Sequence, residues 1–280
     1  MTTLSEMRQV LGSRGIQLTK SLGQCFLHDA NQLDRIAAAA ALLPADRVLE
    51  IGPGLGPLTE LLLARAGRVL AVELDARLVE VLREKFAGTS SLELIHADAL
   101  GWLRSEARDW TGWKVVSNLP YAVASPLLVE LALGPQPPDL MVVTLQREVV
   151  DRLLAGPGCR DYGVITLLVR LRFEPGLWFK LPRTCFFPEP DVDSACLTLR
   201  RRGETLLPTA EVKTFVRVVK RGFSQRRKMM FKLLKAEWTV PVLEAGFGSV
   251  GLDRGIRAEA VSLDQFVALT RALHATRPAP

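Results

Sequence analysis

The chain has few of the residues that usually hold metal ions. Its 280 residues include only three histidines and four cysteines. They form no C-x-x-C pair and no histidine cluster; their positions are His28, His96, His274, Cys25, Cys159, Cys185 and Cys196. We therefore expect reduced thiols and no bound metal.

Long apolar runs are also missing. No run is long enough to span a membrane without a charge or a proline, and residues 1–8 lack the basic-then-apolar order of a signal peptide. We expect a cytoplasmic protein without a membrane partner. With 48% apolar residues, the chain can bury one large core and a smaller appendage. We find no internal repeat.

The net charge of +6 is unevenly distributed. Residues 1–203 contain 23 basic and 23 acidic side chains, whereas residues 204–280 contain 13 and 7. This shift predicts two domains, 1–203 (with an arm at 1–30) and 204–280. Within residues 217–235 there are eight basic residues and no acid, which suits a nucleic-acid backbone. A basic amphipathic helix for a membrane or a protein partner is the alternative.

Apolar patterning alternates between strands and helices, which predicts an α/β fold. The predicted strands are 47–51, 68–72, 92–95, 113–117, 140–145, 164–173 and 195–201. The predicted helices include one capped by Asp29, one over 57–66, one near 125, one over 146–154, and four near the carboxyl end at 210–221, 225–235, 241–245 and 262–273.

A glycine turn follows the first predicted strand. A dinucleotide fingerprint beginning at Gly52 would need a glycine where Pro57 stands. The sequence instead reads Glu50-x-Gly52-x-Gly54-x-Gly56, a pattern typical of S-adenosylmethionine-dependent methyltransferases. We therefore expect the backbone of this turn to approach a nucleoside cofactor that lacks a pyrophosphate.

Acidic residues end the next two predicted strands. Glu73 lies about twenty residues beyond the first glycine, where a carboxylate can accept from both ribose hydroxyls. Asp98 follows the third strand and could accept from the adenine amine. Strand ends at one edge of a parallel sheet are where such folds bind ligands.

The segment Asn118-Leu119-Pro120-Tyr121 follows the strand at 113–117. An amide oxygen and main-chain carbonyls can accept hydrogens from an amino group on a flat ring, and an aromatic face can stack on that ring. Pro120 has no N–H and so adds no competing donor. This combination favours a base-binding site.

These motifs together resemble the ribosomal RNA adenine dimethyltransferases of the KsgA type over nearly the whole chain. The matching segments are Leu22-Gly23-Gln24-x-Phe26-Leu27, residues 50–56, Val72-Glu73-Leu74-Asp75, Asp98-Ala99, residues 118–121, residues 145–149, Phe187-Pro188-x-Pro190-x-Val192-x-Ser194-Ala195, and Phe223-Ser224-Gln225-Arg226-Arg227-Lys228. The resemblance implies a Rossmann-like S-adenosylmethionine-dependent methyltransferase domain followed by a small helical domain.

The resemblance also implies an activity, the dimethylation of two adjacent adenosines near the 3′ end of small-subunit ribosomal RNA. It implies cofactor contacts at Gln24, Cys25, Leu27, Gly52, Gly54, Glu73, Leu74, Asp98, Ala99 and Asn118. We expect the reacting base at Asn118, Leu119, Pro120, Tyr121 and Phe187, and the RNA at four residues of the basic segment, Arg221, Arg226, Arg227 and Lys228. Cys25 stands where the family usually has asparagine, and a thiol is a poorer hydrogen-bond partner than an amide.

We expect the substrate RNA to lie within a precursor of the small subunit, and the protein to act as a monomer without an obligate protein partner. Three alternatives remain open. They are a large-subunit RNA methylase of the antibiotic-resistance type, a DNA adenine methylase, and a non-catalytic RNA-binding assembly factor. The DNA enzymes usually carry an acidic residue where this chain has Asn118.

Overall fold

A computed structural model describes residues 3–18 and 25–276. It divides into two compact units, Met1–Val150 with Glu174–Arg201, and Asp151–Phe173 with Arg202–Pro280. The strands within the described residues are β1 Phe26–Leu27, β2 Arg47–Ile51, β3 Arg68–Glu73, β4 Leu92–His96, β5 Trp113–Asn118, β6 Leu140–Gln146, β7 Phe173–Leu181, β8 Phe186–Phe187 and β9 Ser194–Arg201.

The helices alternate with these strands along the first unit and make up most of the second. They are α1 Leu4–Ser13, α2 Ala30–Ala39, α3 Pro57–Arg65, α4 Ala76–Lys85, α5 Ala99–Ser105, α6 Ala124–Leu133, α7 Arg147–Leu154, α8 Val164–Arg170, α9 Thr209–Gly222, α10 Met230–Leu234, α11 Val240–Val250 and α12 Leu263–Ala275.

The main sheet of the first unit has the order β4-β3-β2-β5-β6-β9-β7. Neighbours from β4 to β6 are parallel, and β9 runs antiparallel to β6. The central strands are almost continuously buried, as expected for parallel strands with both faces covered. This architecture confirms the predicted α/β fold.

Helix starts in this unit follow local signals in the sequence. Asp29 caps α2 by accepting from the N–H of Gln32 over 3.0 Å, as predicted. Asp75 caps α4 and Asp98 caps α5 in the same manner. Because α4 and α5 follow β3 and β4 closely, their caps lie at the ends of these strands, and two carboxylates therefore collect at one edge of the main sheet.

The second unit is helical in its described part, but its extent differs from the predicted 204–280. It also contains Asp151–Phe173, because Tyr162 donates through its hydroxyl to the carbonyl of Val261 over 2.9 Å and packs edge-on against Phe223. The predicted strand over 164–173 is wrong, since Val164–Arg170 is helical. No helix among the described residues is long and apolar enough to cross a bilayer.

The predicted helix over 225–235 is also wrong in its first half. Residues 223–229 are irregular, with turns and bends, and the helix is confined to Met230–Leu234. The N–H of Met230 donates to the carbonyl of Ile256 over 2.9 Å, so it is not available to extend a helix through the preceding residues.

Candidate active site

A pocket in the first unit lies at the carboxyl ends of the parallel strands, where the strand order reverses between β2 and β5. Such a reversal is where open α/β sheets bind ligands. The pocket is lined by Cys25, Phe26, Ile51, Gly52, Gly54, Val72, Glu73, Leu74, Leu78, Ala97, Asp98, Ala99, Asn118, Leu119, Pro120, Ala122 and Val123. It therefore brings together residues from four predicted strand ends.

The glycine turn forms one wall of the pocket through a backbone that other residues would not adopt. Gly52 and Gly54 have φ angles of +71° and +62°, a region disfavoured for side-chain-bearing residues. A Cβ at Gly54 would stand 2.6 Å from the ring of Phe26, and one at Gly52 would stand 3.0 Å from Pro120. The turn thus needs both glycines to pack against Phe26 and Pro120, and the approach of its backbone to a cofactor stays a prediction.

Glu73 is a buried carboxylate at the end of β3, 6% exposed. It accepts from the main-chain N–H groups of Gly54, Leu74 and Asp75 over 3.1, 2.8 and 2.9 Å. Burial is the largest influence and raises its pKa, against the lowering effect of these bonds. Three donors fix the orientation of the carboxylate while leaving it lone-pair capacity for a ligand hydroxyl.

Glu50 forms a second buried acid in this region, which sequence reasoning used only as part of the glycine pattern. It is 1% exposed and accepts from the hydroxyl of Thr59 over 2.7 Å. Its pKa is raised to about 8, chiefly by burial and in part by the nearby Glu73, against the lowering effect of Thr59 and Lys85. Glu50 is therefore neutral at pH 7. The available signal was an acidic residue near the end of an otherwise apolar, buried strand.

Asp98 and Leu74 place a carboxylate next to an apolar side chain on the pocket wall. Asp98 is exposed, and its carboxylate accepts from the N–H of Gly101 over 3.0 Å as the cap of α5. Leu74 is 47% exposed and Ala99 lies beside Asp98 on the pocket wall. An apolar surface next to an acceptor suits a purine ring with an amino group.

Asn118 stands at the end of β5 with one half of its amide in use. Its Nδ2 donates to the main-chain carbonyl of Cys25 over 3.0 Å. Its Oδ1 is buried and has no hydrogen-bond partner among the described residues. A buried unpaired oxygen costs free energy unless a ligand supplies the donor, so this atom points to a ligand N–H.

The remaining predicted residues lie in different surroundings. Leu27 is buried in the hydrophobic core, so its side chain does not form the pocket surface. Phe187 pairs with Phe26 in the β1–β8 ribbon and lies below the guanidinium of Arg8, 5.1 Å from it; its predicted stacking role stays a prediction. Gln24 lies outside the described residues.

Tyr121 directly follows the pocket-lining Pro120, and its hydroxyl lies 2.5 Å from the Oγ of Ser194. Burial raises the pKa of Tyr121 to about 12, so the hydroxyl is neutral at ordinary pH.

Within the described parts of the chain, no group of three or more His, Cys, Asp and Glu side chains could hold a metal ion.

The predicted RNA-binding residues of the second unit fall into two groups. Arg221 donates to the carbonyl of Leu233 over 3.0 Å. Arg226 donates to the carbonyl of Arg160 over 2.6 Å and lies 3.9 Å from Glu259. Arg227 and Lys228 are exposed. Within residues 3–18 and 25–276 their side chains make no hydrogen bond or ion pair of this kind.

The basic segment also contains two phenylalanines, of which Phe231 is buried and Phe223 is partly buried. Phe231 is 4% exposed and packs edge-on against Phe247, with ring centres 5.0 Å apart. Phe223 stacks on Phe266 at 6.1 Å. Their function is core packing, so the exposed charges, without these rings, remain as the candidate RNA surface.

Comparison with known proteins gives consistent matches. A profile of the family described as "Ribosomal RNA adenine dimethylase" matches residues 15–274. The "Ribosomal RNA small subunit methyltransferase A" of Pelotomaculum thermopropionicum is 41% identical, with 94% of each chain covered. That of Geobacter metallireducens is 39% identical, with 93% of this chain and 97% of the relative covered.

Solved structures show the same fold. The 23S rRNA methyltransferase ErmE is similar with a TM-score of 0.66 and 30% identity, covering 89% of this chain and 99% of that one. A dimethyladenosine transferase from Plasmodium falciparum has a TM-score of 0.70 and 24% identity, covering 87% of this chain and 95% of that one.

Proposed function

Because the chain belongs to the ribosomal RNA adenine dimethylase family, we propose that it dimethylates the N6 amines of two adjacent adenosines near the 3′ end of small-subunit (16S) ribosomal RNA. It is an S-adenosylmethionine-dependent methyltransferase. We further propose that it acts as a monomer in the cytoplasm, on RNA within a precursor of the small subunit. The observation that carries the reaction chemistry is the unpaired, buried Oδ1 of Asn118.

The pocket residues suit the cofactor. Glu73 offers a fixed carboxylate for ribose hydroxyls, and Asp98 offers an acceptor beside the apolar Leu74 for adenine. Gly52 and Gly54 present bare backbone to the pocket, while Phe26 and Pro120 fill the positions that a Cβ at either glycine would take. When bound, S-adenosylmethionine supplies an electrophilic methyl group, so the protein has to position the acceptor amine more than activate it.

The difficulty of the reaction is the amine's lone pair, which is delocalised into the adenine ring. We assign Asn118 the task of accepting one N6–H through Oδ1, while its Nδ2 stays bonded to the Cys25 carbonyl. The Pro120 carbonyl already accepts from the N–H of Val123 over 3.1 Å, so the Leu119 carbonyl is the better second acceptor. Two acceptors favour a tetrahedral nitrogen whose lone pair is free to react.

Tyr121 completes this site by stacking on the base, worth roughly 1–3 kcal/mol by analogy with other single-stranded nucleic acid sites. Asn118 is a neutral amide and cannot take up a proton at neutral pH. The proton lost from the methylated nitrogen therefore passes to solvent. Positioning rather than proton transfer is the contribution of these residues.

The test is to incubate the protein with immature small subunits and methyl-labelled cofactor, then to map the modified base. Large-subunit RNA serves as the parallel substrate, because the 23S rRNA methyltransferase ErmE shares the fold at 30% identity. Label in two adjacent small-subunit adenosines supports the proposal. Label confined to large-subunit RNA, or none in either, would refute it.

A further inference from the structure

Two side chains far apart in sequence meet beside the proposed base site. The hydroxyl of Tyr121 and the Oγ of Ser194 are 2.5 Å apart. Ser194 is fully buried, and Tyr121 is half-buried. Neither the family motifs nor the proposed reaction assigns a task to this serine hydroxyl. The proposed reaction therefore does not account for its bond to Tyr121, the one aromatic residue of the 118–121 segment.

Ser194 is held in place by the sheet. It is the first residue of β9 and lies opposite Gln146 in the antiparallel pairing with β6. The preceding residue, Asp193, accepts through its carbonyl from the N–H of Arg147 over 2.9 Å. A side chain with one torsion on such a backbone is a rigid anchor.

Tyr121 lies instead in the connection between β5 and α6, flanked by Pro120 and the exposed Ala122. A ring there can turn about two side-chain torsions, whereas stacking on a base requires one plane. Fixing that plane before the base arrives removes an ordering cost from binding. A bond at the hydroxyl, at the far end of the ring, itself occupies neither face.

We propose that Ser194 is a positioning residue that orients the ring of Tyr121 for stacking on the substrate adenine. This inference rests on the proposed function. Ser194 touches neither the cofactor pocket nor the reacting amine, so its effect passes through Tyr121. A base that stacks on an oriented ring also has its amine held in one orientation toward Asn118.

The test compares Ser194→Ala with Thr198→Ala on the same strand. Thr198 is also buried, and its hydroxyl donates to the carbonyl of Leu177 over 3.0 Å. Both variants therefore lose one buried hydroxyl bond from β9, but only the first loses the contact with Tyr121. We expect Ser194→Ala to lower kcat/KM for the RNA by roughly 3- to 10-fold, the range of one neutral hydrogen bond.

Cofactor affinity, measured by calorimetry, should be unchanged in Ser194→Ala, and Thr198→Ala should retain wild-type kcat/KM despite a similar fall in Tm. Tyr121→Phe keeps the ring but removes the bond, so it should lose about as much kcat/KM as Ser194→Ala. The double variant should be no worse than either single one, because both remove the same interaction. If Ser194→Ala does not fold, Tyr121→Phe still tests the bond from its other end.

Equal activities of Ser194→Ala and Thr198→Ala would overturn the inference. So would a Tyr121→Phe enzyme with wild-type kcat/KM, or losses that multiply in the double variant. A wild-type protein that transfers no methyl group to small-subunit RNA would instead refute the proposed function. Wild-type methylation is therefore measured before any variant is compared.

Discussion

Asn118→Ala should lower turnover far more than it lowers cofactor affinity. The substitution removes the bond from Nδ2 to the Cys25 carbonyl and the unpaired acceptor Oδ1. As the amine is alkylated its N–H groups gain positive charge, so the bond to Oδ1 becomes charge-assisted in the transition state. Such a bond is worth about 1.5–3 kcal/mol, which corresponds to about 10- to 150-fold in kcat.

The assay is single-turnover methylation of immature small subunits with saturating labelled cofactor, alongside calorimetry of cofactor binding. Asn118→Asp is the second variant, because it keeps an acceptor oxygen but cannot donate to the Cys25 carbonyl. We expect its turnover to lie between those of the wild type and Asn118→Ala. Asn31→Ala is the control, since it deletes an exposed amide from α2 and should leave both measurements unchanged.

Two results would contradict this reasoning. A folded Asn118→Ala enzyme whose single-turnover rate stays near that of the wild type would remove Oδ1 from the transition state. A loss of cofactor affinity large enough to explain the entire fall in rate would make Asn118 a cofactor ligand and leave the amine without its proposed acceptor.

Three further predictions concern other parts of the chain. Glu73→Ala should weaken cofactor binding by about 1.5–3 kcal/mol and leave RNA binding intact; unchanged calorimetry would exclude this carboxylate from the site. Burial raises the pKa of Glu50 from 4.5 to about 8, so its contribution to stability is full below pH 4.5 and is lost as pH rises through 8. Glutamine does not titrate, so the unfolding free energy of Glu50→Gln should fall less than that of the wild type as pH rises from 4.5 to 8. The two slopes, measured in urea titrations, should differ by up to about 1.4 kcal/mol per pH unit. Parallel curves would contradict the raised pKa of Glu50. Neutralising Arg227 and Lys228 together should reduce the log–log salt slope of RNA binding by roughly 0.7–0.9 per lost phosphate contact with Tm unchanged, whereas Arg226→Gln should lower Tm because that side chain has partners within its unit. An unaltered salt slope in the double variant would remove this surface from the RNA.

The parallel sheet could be predicted from sequence because its central strands are buried on both faces. Residues 47–51 are predicted and observed as a strand with the same bounds. A short apolar run that is bounded by turn residues is typical of a buried strand. Glu73 and Asp98 could be placed at strand ends for the same reason. Their spatial proximity then follows from the parallel connection rule.

The segment over 164–173 could not be assigned in this way. A run of apolar residues buried on all sides has no periodicity that separates a strand from a helix. The helix Val164–Arg170 starts with one local and one more distant bond: the N–H of Gly163 donates to the hydroxyl of Thr166 over 3.1 Å, and that hydroxyl donates to the carbonyl of Arg152 over 2.6 Å. The second partner is distant in sequence, so local patterning cannot supply it.

The basic segment shows the same limit. Its charge pattern was visible, but a count of charges cannot tell that Arg226 is engaged with the carbonyl of Arg160 while Arg227 and Lys228 are not. Nor can it show that Phe231 belongs to the core. Composition therefore predicts the kind of surface, and only the fold selects which of its charges are free for a phosphate.

The site's most evident departure from its family pattern concerns Cys25, where an asparagine is usual. In the structure the contribution of this residue to Asn118 is its main-chain carbonyl, which every amino acid possesses. Burial raises the pKa of the Cys25 thiol, with Asp191 adding to the effect, so the side chain presents a neutral, weakly polar surface to the pocket. The bond that orients the Asn118 amide therefore survives the exchange of side chains at position 25. In the proposed reaction Asn118 uses both ends of its own side chain, one for this carbonyl and one for the substrate amine, so we expect no comparable tolerance at position 118.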